Sequence, residues 1–309
     1  MFHRVIPGKQ KSVFNNILEV TPEYLEYCIN YFKKNDYAIV SLDVIHQVLD
    51  NRECLGRKFV AFTFDDGYAD IFHHAYPILK KYNLPFALYI TTSFPDGEPI
   101  PWWYLIEEAV LTNDHLAFET TDKVLNLKCS SRNEKMKTFE RLRDILIDHN
   151  APRHLLEQLY ALSKNAFYRT PGELLLTWGQ IEHLSRDGNV TIASHTLRHS
   201  ALNRLSTAGA REEILKSKEI LEARTDREVC HFAYPFGGRT EARRREFDIV
   251  RELGFRTGTT ARCGNIFYDH GRHLECLPRV MAREGLSMGL CASGVLPFLK
   301  NKFRSFVAD

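Results

Sequence analysis

At 309 residues the chain is long enough for one large α/β domain or two modest ones. It is 44% hydrophobic and 26% charged, the balance of an ordinary globular protein, and a net charge of +2 is too even to argue for nucleic acid as a partner. Its seven cysteines are odd in number, irregularly spaced and contain no C-x-x-C, which speaks against a disulfide framework or a cysteine zinc site and for free thiols.

The opening residues Met1 to Pro7 lack the apolar core of a signal peptide, and no apolar run is long enough to span a bilayer. The expectation is a cytoplasmic protein, or a periplasmic or cell-envelope one if residues precede Met1. Thr21-Pro22-Glu23 reads as a capped helix start, running to about Lys34. Tyr37 to Leu42 reads as a strand, followed by a helix to about Leu49. Lys58 to Phe64 is β-prone and runs straight into Asp65-Asp66-Gly67. A helix over 69–82 and a buried strand over 85–91 follow.

Residues 94–170 break the rhythm. Pro95, Gly97, Pro99 and Pro101 open a charged stretch containing Trp102, Trp103 and amphipathic pieces at 134–146 and 154–162. We expect a helical insertion, either a lid or a cover for the barrel side. Its tryptophans would either stack on the rings of a ligand or pack internally. The alternation then resumes, with helices at 178–186, 206–223 and 240–253 and strands at 190–193, 230–233, 255–260 and 275–280. About seven βα units predict a distorted (β/α) barrel with chemistry at the C-terminal strand ends. A single barrel domain is expected over 1–285, with 286–309 as a C-terminal segment. That segment carries Lys300, Lys302 and Arg304 after an apolar run, suited to a docked helix or a peripheral membrane contact.

Three motifs fall at strand ends. In Thr63-Phe64-Asp65-Asp66-Gly67, two adjacent carboxylates resist joint ionisation unless a cation takes one and leaves the other as a base. Alone, this motif equally describes a polar turn. In Ser194-His195-Thr196-Leu197-Arg198-His199, two histidines four apart would converge if the segment were a helical turn. Asp66, His195 and His199 together make a two-histidine, one-carboxylate set with positions open for water and substrate, suited to zinc, cobalt, manganese or ferrous iron. The third motif, Phe232-Ala233-Tyr234-Pro235-Phe236-Gly237, is a groove wall or a plain strand-to-loop turn, and Tyr234, Pro235 and Phe236 are its candidate substrate and oxyanion residues.

The order and spacing of these motifs resemble the polysaccharide deacetylase family, the NodB-homology or carbohydrate esterase family 4 group. The resemblance extends to His3-Arg4-Val5, to Tyr76 through Tyr82, to Leu176-Thr177-Trp178 and to Leu277-Pro278-Arg279, and covers about 1–92 and 172–285. It implies hydrolysis of N-acetyl groups on a glycan or a lipid-linked sugar. Asp65 would be the catalytic base, and Asp66, His195 and His199 would hold a divalent metal, with zinc the first expectation. Two departures stand out. The family's third-motif arginine is replaced by Ala233, and its late Leu-x-His general acid has no counterpart. His270 and His273 are the nearby substitutes, and Arg279 is a candidate to hold substrate or pair with Asp65. Two other readings share these residues: a deformylase or deacylase of a lipid-linked sugar, and a non-catalytic carbohydrate-binding homologue.

Overall fold

A computed structural model describes residues 1–8, 12–51, 55–97, 101–120, 122–163 and 173–293. In chain order these form β1 (Arg4–Val5), β2 (Glu19–Val20), α1 (Pro22–Lys34), β3 (Ala38–Ile39), α2 (Leu42–Asp50), β4 (Phe59–Val60) and β5 (Phe62–Phe64). Then come α3 (Tyr76–Lys81), β6 (Phe86–Ile90), α4 (Trp102–Thr112), β7 (His115–Glu119), β8 (Val124–Lys128), α5 (Arg132–Asp148) and α6 (Arg153–Leu162). The remainder is α7 (Trp178–Ser185), β9 (Val190–Ser194), α8 (Thr207–Thr225), β10 (His231–Ala233), α9 (Arg244–Glu252), β11 (Thr257–Cys263), β12 (Leu277–Arg279) and α10 (Met288–Ala292).

The expected barrel is present. Six parallel strands lie in the order β12-β11-β10-β9-β6-β5. The seventh position is filled by the first residues of the chain. Phe2 bridges to Phe64 in parallel, and its amide donates to the Thr63 carbonyl at 2.8 Å. On the other side, the Met1 nitrogen donates to the Val280 carbonyl at 3.0 Å and Ala282 N–H to the Met1 carbonyl at 2.8 Å. The two edges of the sheet are thereby joined, with short pairs β1-β2 and β3-β4 flanking them.

Strand alternation sorts the two faces. Phe62, Phe64, Phe86, Leu88, Ile90 and Ile192 turn outward into the main core shared with the helices. Ala87, Tyr89, Ala193, Ala233 and Leu277 turn inward and pack on Leu42, Ile45 and Leu49 of α2.

Helix starts follow their caps. Thr21 accepts from Tyr24 N–H, Ser41 from Val44 N–H and Thr177 from Gln180 N–H, as capping hydroxyls do. The helix expected over 69–82 divides. Pro77 offers no N–H to the turn before it, and residues Ile71–Ala75 take the wider π register, with Tyr76 N–H reaching Ile71 O.

The insertion is not purely helical, which corrects the sequence reading. Between α4 and α5 lies an antiparallel hairpin, β7 with β8. Leu116, Phe118, Leu125 and Leu127 are buried while their neighbours are exposed, a period of two that the charged composition of the segment masks. Six cysteines in the described residues are free thiols, and Cys54 lies outside them. Among the described residues no helix is long and apolar enough to cross a membrane. The basic residues Lys300, Lys302 and Arg304 lie outside the described part.

Candidate active site

Asp65 leaves β5 at its C-terminal end, with its N–H donating to the Phe2 carbonyl at 3.0 Å. The chain then turns sharply. Asp66 sits at φ +73° and Gly67 at φ +93°, where a Cβ would come within 3.1 Å of Ile90 Cδ1. The turn separates the two carboxylates into different environments. Asp65 meets Arg279 at the end of β12 in a bidentate pair, Nη1 to Oδ1 and Nη2 to Oδ2, both 2.7 Å. Burial pushes the Asp65 carboxyl upward, but the Arg279 guanidinium, helped by His195 and His3, outweighs it and holds the carboxyl below its ordinary value. Arg279 is itself fixed, donating from Nε to the Thr260 carbonyl at 3.0 Å and lying over the Tyr89 ring.

Asp66 faces the other way. Its Oδ1 lies 3.3 Å from His195 Nε2 and 3.3 Å from His199 Nε2, and the three ligand atoms fall within 4.8 Å of one another. His195 follows β9 directly, and its Nδ1 sits 2.7 Å from the Ala233 carbonyl. A carbonyl can only accept, so Nδ1 carries a hydrogen and Nε2 is the ring nitrogen turned to Asp66. Burial holds His199 below its ordinary pKa against the pull of Asp66, leaving its ring neutral. Burial also works against ionising Asp66, yet the two histidines hold it well below its ordinary value. A buried carboxylate oxygen with no hydrogen-bond donor, faced by two imidazole nitrogens, is a set of donor atoms that a divalent cation fits.

The histidines do not converge through a helical turn, as the four-residue spacing suggested. They sit in an irregular loop with Thr196 at φ +66° and His199 at φ +58°. Non-glycine residues held in this region cost on the order of 1–3 kcal/mol each, and such strain collects where geometry matters. Aromatic rings hold His199 in place: Trp103 with its centroid at 5.0 Å, Phe236 at 4.9 Å and Phe94 stacked at 6.2 Å. Trp103 is therefore an internal packing residue, its Nε1 donating to the Tyr68 hydroxyl at 3.0 Å, whereas Trp102, also buried, lines the cavity beside His199.

The third motif divides its work. The Tyr234 hydroxyl donates to the Glu275 carbonyl at 2.8 Å and its ring packs on Phe232 and Phe247, so its side chain serves the core. Pro235 and Phe236 form a tight turn, with Phe236 at φ +60° beside His199. His270 is held by Phe267, whose N–H donates to its Nδ1 at 2.9 Å, next to Gly271, which abuts the end of α2. His273 lies partly exposed beside Glu275. One residue passed over as a mere strand end gains importance. The His3 Nδ1 is buried with no hydrogen-bond partner, and the ring feels the charges of both Asp66 and Asp65. Its position next to Phe2, paired with the residue before Asp65, was visible only once the ring of strands closed.

The sequence model of the family described as Polysaccharide deacetylase matches residues 52–258. A curated relative, the putative polysaccharide deacetylase YxkH of Bacillus subtilis (strain 168), is 21% identical over 287 residues, spanning 93% of this chain and 71% of that protein. In solved structures, the fold resembles Streptococcus pyogenes deacetylase PplD in complex with acetate, with a TM-score of 0.60 at 18% identity over 96% of this chain and 93% of that one. It also resembles IcaB from Ammonifex degensii, with a TM-score of 0.59 at 17% identity over 94% and 93%. With the family match spanning most of the barrel and the site residues gathered at its strand ends, the chain belongs to the polysaccharide deacetylase family.

Proposed function

We propose that the protein hydrolyses N-acetyl groups on amino sugars of a cell-surface glycan or its precursor, with a divalent cation, zinc first, held by Asp66, His195 and His199. The observation that carries this is the division of labour between adjacent aspartates: one faces two imidazoles, the other a guanidinium. When bound, the cation would polarise the acetamide carbonyl and lower the pKa of water in the site.

The chain's own residues supply the rest. Asp65, kept ionised by Arg279, takes the proton as water adds to the carbonyl carbon. Phe236, in its left-handed turn beside His199, would donate its N–H to the oxyanion. The C–N bond then breaks, releasing acetate, and the amine needs a proton. We assign that transfer to His3. Its Nδ1 is buried with no hydrogen-bond partner and the ring feels the charges of both aspartates, so it would relay the proton to the departing nitrogen through intervening water. Deacetylation converts a neutral amide into a cationic amine on the glycan.

The test is acetate release from N-acetylglucosamine oligomers with zinc, cobalt or manganese, alongside metal quantification and His195→Ala. We expect about one metal per chain and loss of both metal and acetate release in the variant. Bound metal with no acetate from any oligomer would favour a different acyl group. No metal under any reconstitution would sink the proposal.

A further inference from the structure

A separate cavity of about 400 Å³ lies between the loop that leaves β9 and the start of α9. This volume is in the range of about 300–1,000 Å³ typical of small-molecule sites. None of its lining residues borders the cavity beside His199. One wall is Asn203 and Arg204; the other is Thr240, Arg243, Arg245 and Glu246. Asn203 Nδ2 donates to the Thr240 carbonyl at 3.0 Å and ties the two walls together. Arg245 is fixed between them, donating to the Leu202 carbonyl at 2.7 Å and the Leu205 carbonyl at 2.9 Å.

The walls carry more positive charge than their acids answer. Arg204 pairs with Asp148 and Arg245 with Glu246, while the Thr240 hydroxyl is turned to Glu241. The Arg243 side chain donates from Nε to the Arg239 carbonyl at 3.3 Å and makes no ion pair among the described residues. Arg262 lies close by, with Nη2 donating to the Ala242 carbonyl at 2.6 Å and Nε buried without a partner. Burial, joined by the charges of Arg239 and Arg243, holds the Arg262 guanidinium below its ordinary value. The Asn203 Oδ1 is also buried without a partner. Guanidinium groups from two walls suit a tetrahedral oxyanion with several oxygens, whereas a single fork saturates a planar carboxylate. An amide oxygen left without a donor calls for a hydroxyl on the same ligand. We propose that this cavity binds a phosphate group carried on a sugar or polyol. Arg204 and Arg243 take the phosphate oxygens, and Asn203 Oδ1 accepts from a ligand hydroxyl. The site is distinct from the deacetylase centre and would hold a phosphate-bearing glycan against the barrel.

The experiment is calorimetric titration of the full-length protein with glucose 1-phosphate, inorganic phosphate and glucose at one ionic strength. We expect about one glucose 1-phosphate per chain, bound roughly threefold or more tighter than inorganic phosphate through the added hydrogen bond, and no binding of glucose. Arg204→Gln combined with Arg243→Gln should weaken glucose 1-phosphate about tenfold or more. Both side chains are exposed, and Glu246 caps α9 through the Arg243 backbone N–H, so the melting curve should not move. Arg244→Gln removes an equal charge that does not line the cavity, and should change Kd by less than about twofold. Asn203→Ala should erase the preference for glucose 1-phosphate over inorganic phosphate. No binding, or equal weakening by Arg244→Gln, would overturn the proposal. So would binding that survives the double variant but is lost in His195→Ala, which would place the anion on the metal. Adsorption to phosphatidylglycerol vesicles that glucose 1-phosphate does not displace would assign the arginines to a lipid surface and overturn it too. None of these outcomes depends on acetate release, so the deacetylase reading stands or falls separately.

Discussion

Arg279 supplies from β12 the charge that Ala233 lacks in the third motif. Because its guanidinium is buried against Asp65, replacing it leaves an unpaired buried carboxylate, a loss on the order of 3–5 kcal/mol. In Arg279→Met the Asp65 carboxyl loses its largest stabilising partner, and burial drives its pKa upward. The acid limb of the activity profile should therefore move to higher pH, read from kcat/KM against pH. Stability moves with it. In the wild type, the depressed carboxyl contributes stability that is present above the ordinary value of 3.8 and is lost as pH falls through its lowered value. In the variant that contribution disappears, and acid unfolding should begin at higher pH. His3→Gln tests the proton transfer separately. Metal content should be retained while kcat falls on the order of a hundredfold, within the usual range for a lost acid–base group. An unchanged kcat would remove His3 from the mechanism.

The inner face of the sheet forms a second, smaller cluster with Leu42, Ile45 and Leu49 of α2. Ala87 lies at 1% exposure, and enlarging it forces side chains off their rotamers. Ala87→Leu should lower stability by about 1–3 kcal/mol, read as a drop in the denaturant midpoint; an unchanged midpoint would show that α2 is not closely fitted. Most helices and the principal strands were legible in the sequence, because capping residues and apolar runs act locally. The hairpin β7-β8 was also written locally, in the alternation around Leu116 and Leu125, but proline and charge at the borders of the insertion drew the reading toward helix. That Asp66, His195 and His199 come together was legible only from the motifs taken jointly, since the aspartate motif alone equally describes a polar turn. The rest was not. Asp66, Thr196, His199 and Phe236 adopt left-handed backbone that their side chains do not announce. The Arg279–Asp65 partnership spans 214 residues, a separation at which sequence offers candidates but no pairing.

The three ligand atoms are drawn from two separate loops of the barrel, so they meet only in the folded molecule. A cation bound there should raise the melting temperature. At a free concentration a hundredfold above Kd, the gain is about 2.7 kcal/mol. Zinc should shift the melting curve upward, a chelator should reverse the shift, and His199→Ala should abolish it. A shift of the same size in His199→Ala would place the cation elsewhere.

The closure of the barrel by Met1 and Phe2 also has a bearing on when the site comes into being. Met1 touches Val280 across 279 positions of sequence, and Asp65 waits for Arg279. During synthesis, the aspartates and histidines are made long before the strand that completes them. A nascent chain that stops short of β12 has its nucleating strands in place but leaves one sheet edge open and one buried carboxylate uncompensated. Contacts of such long span form slowly, because most of the chain must be ordered before they repay the cost. Completion of the site is thus deferred to the last stage of folding, and a chain cut short before β12 would stand exposed at its β11 edge before Asp65 had met its partner.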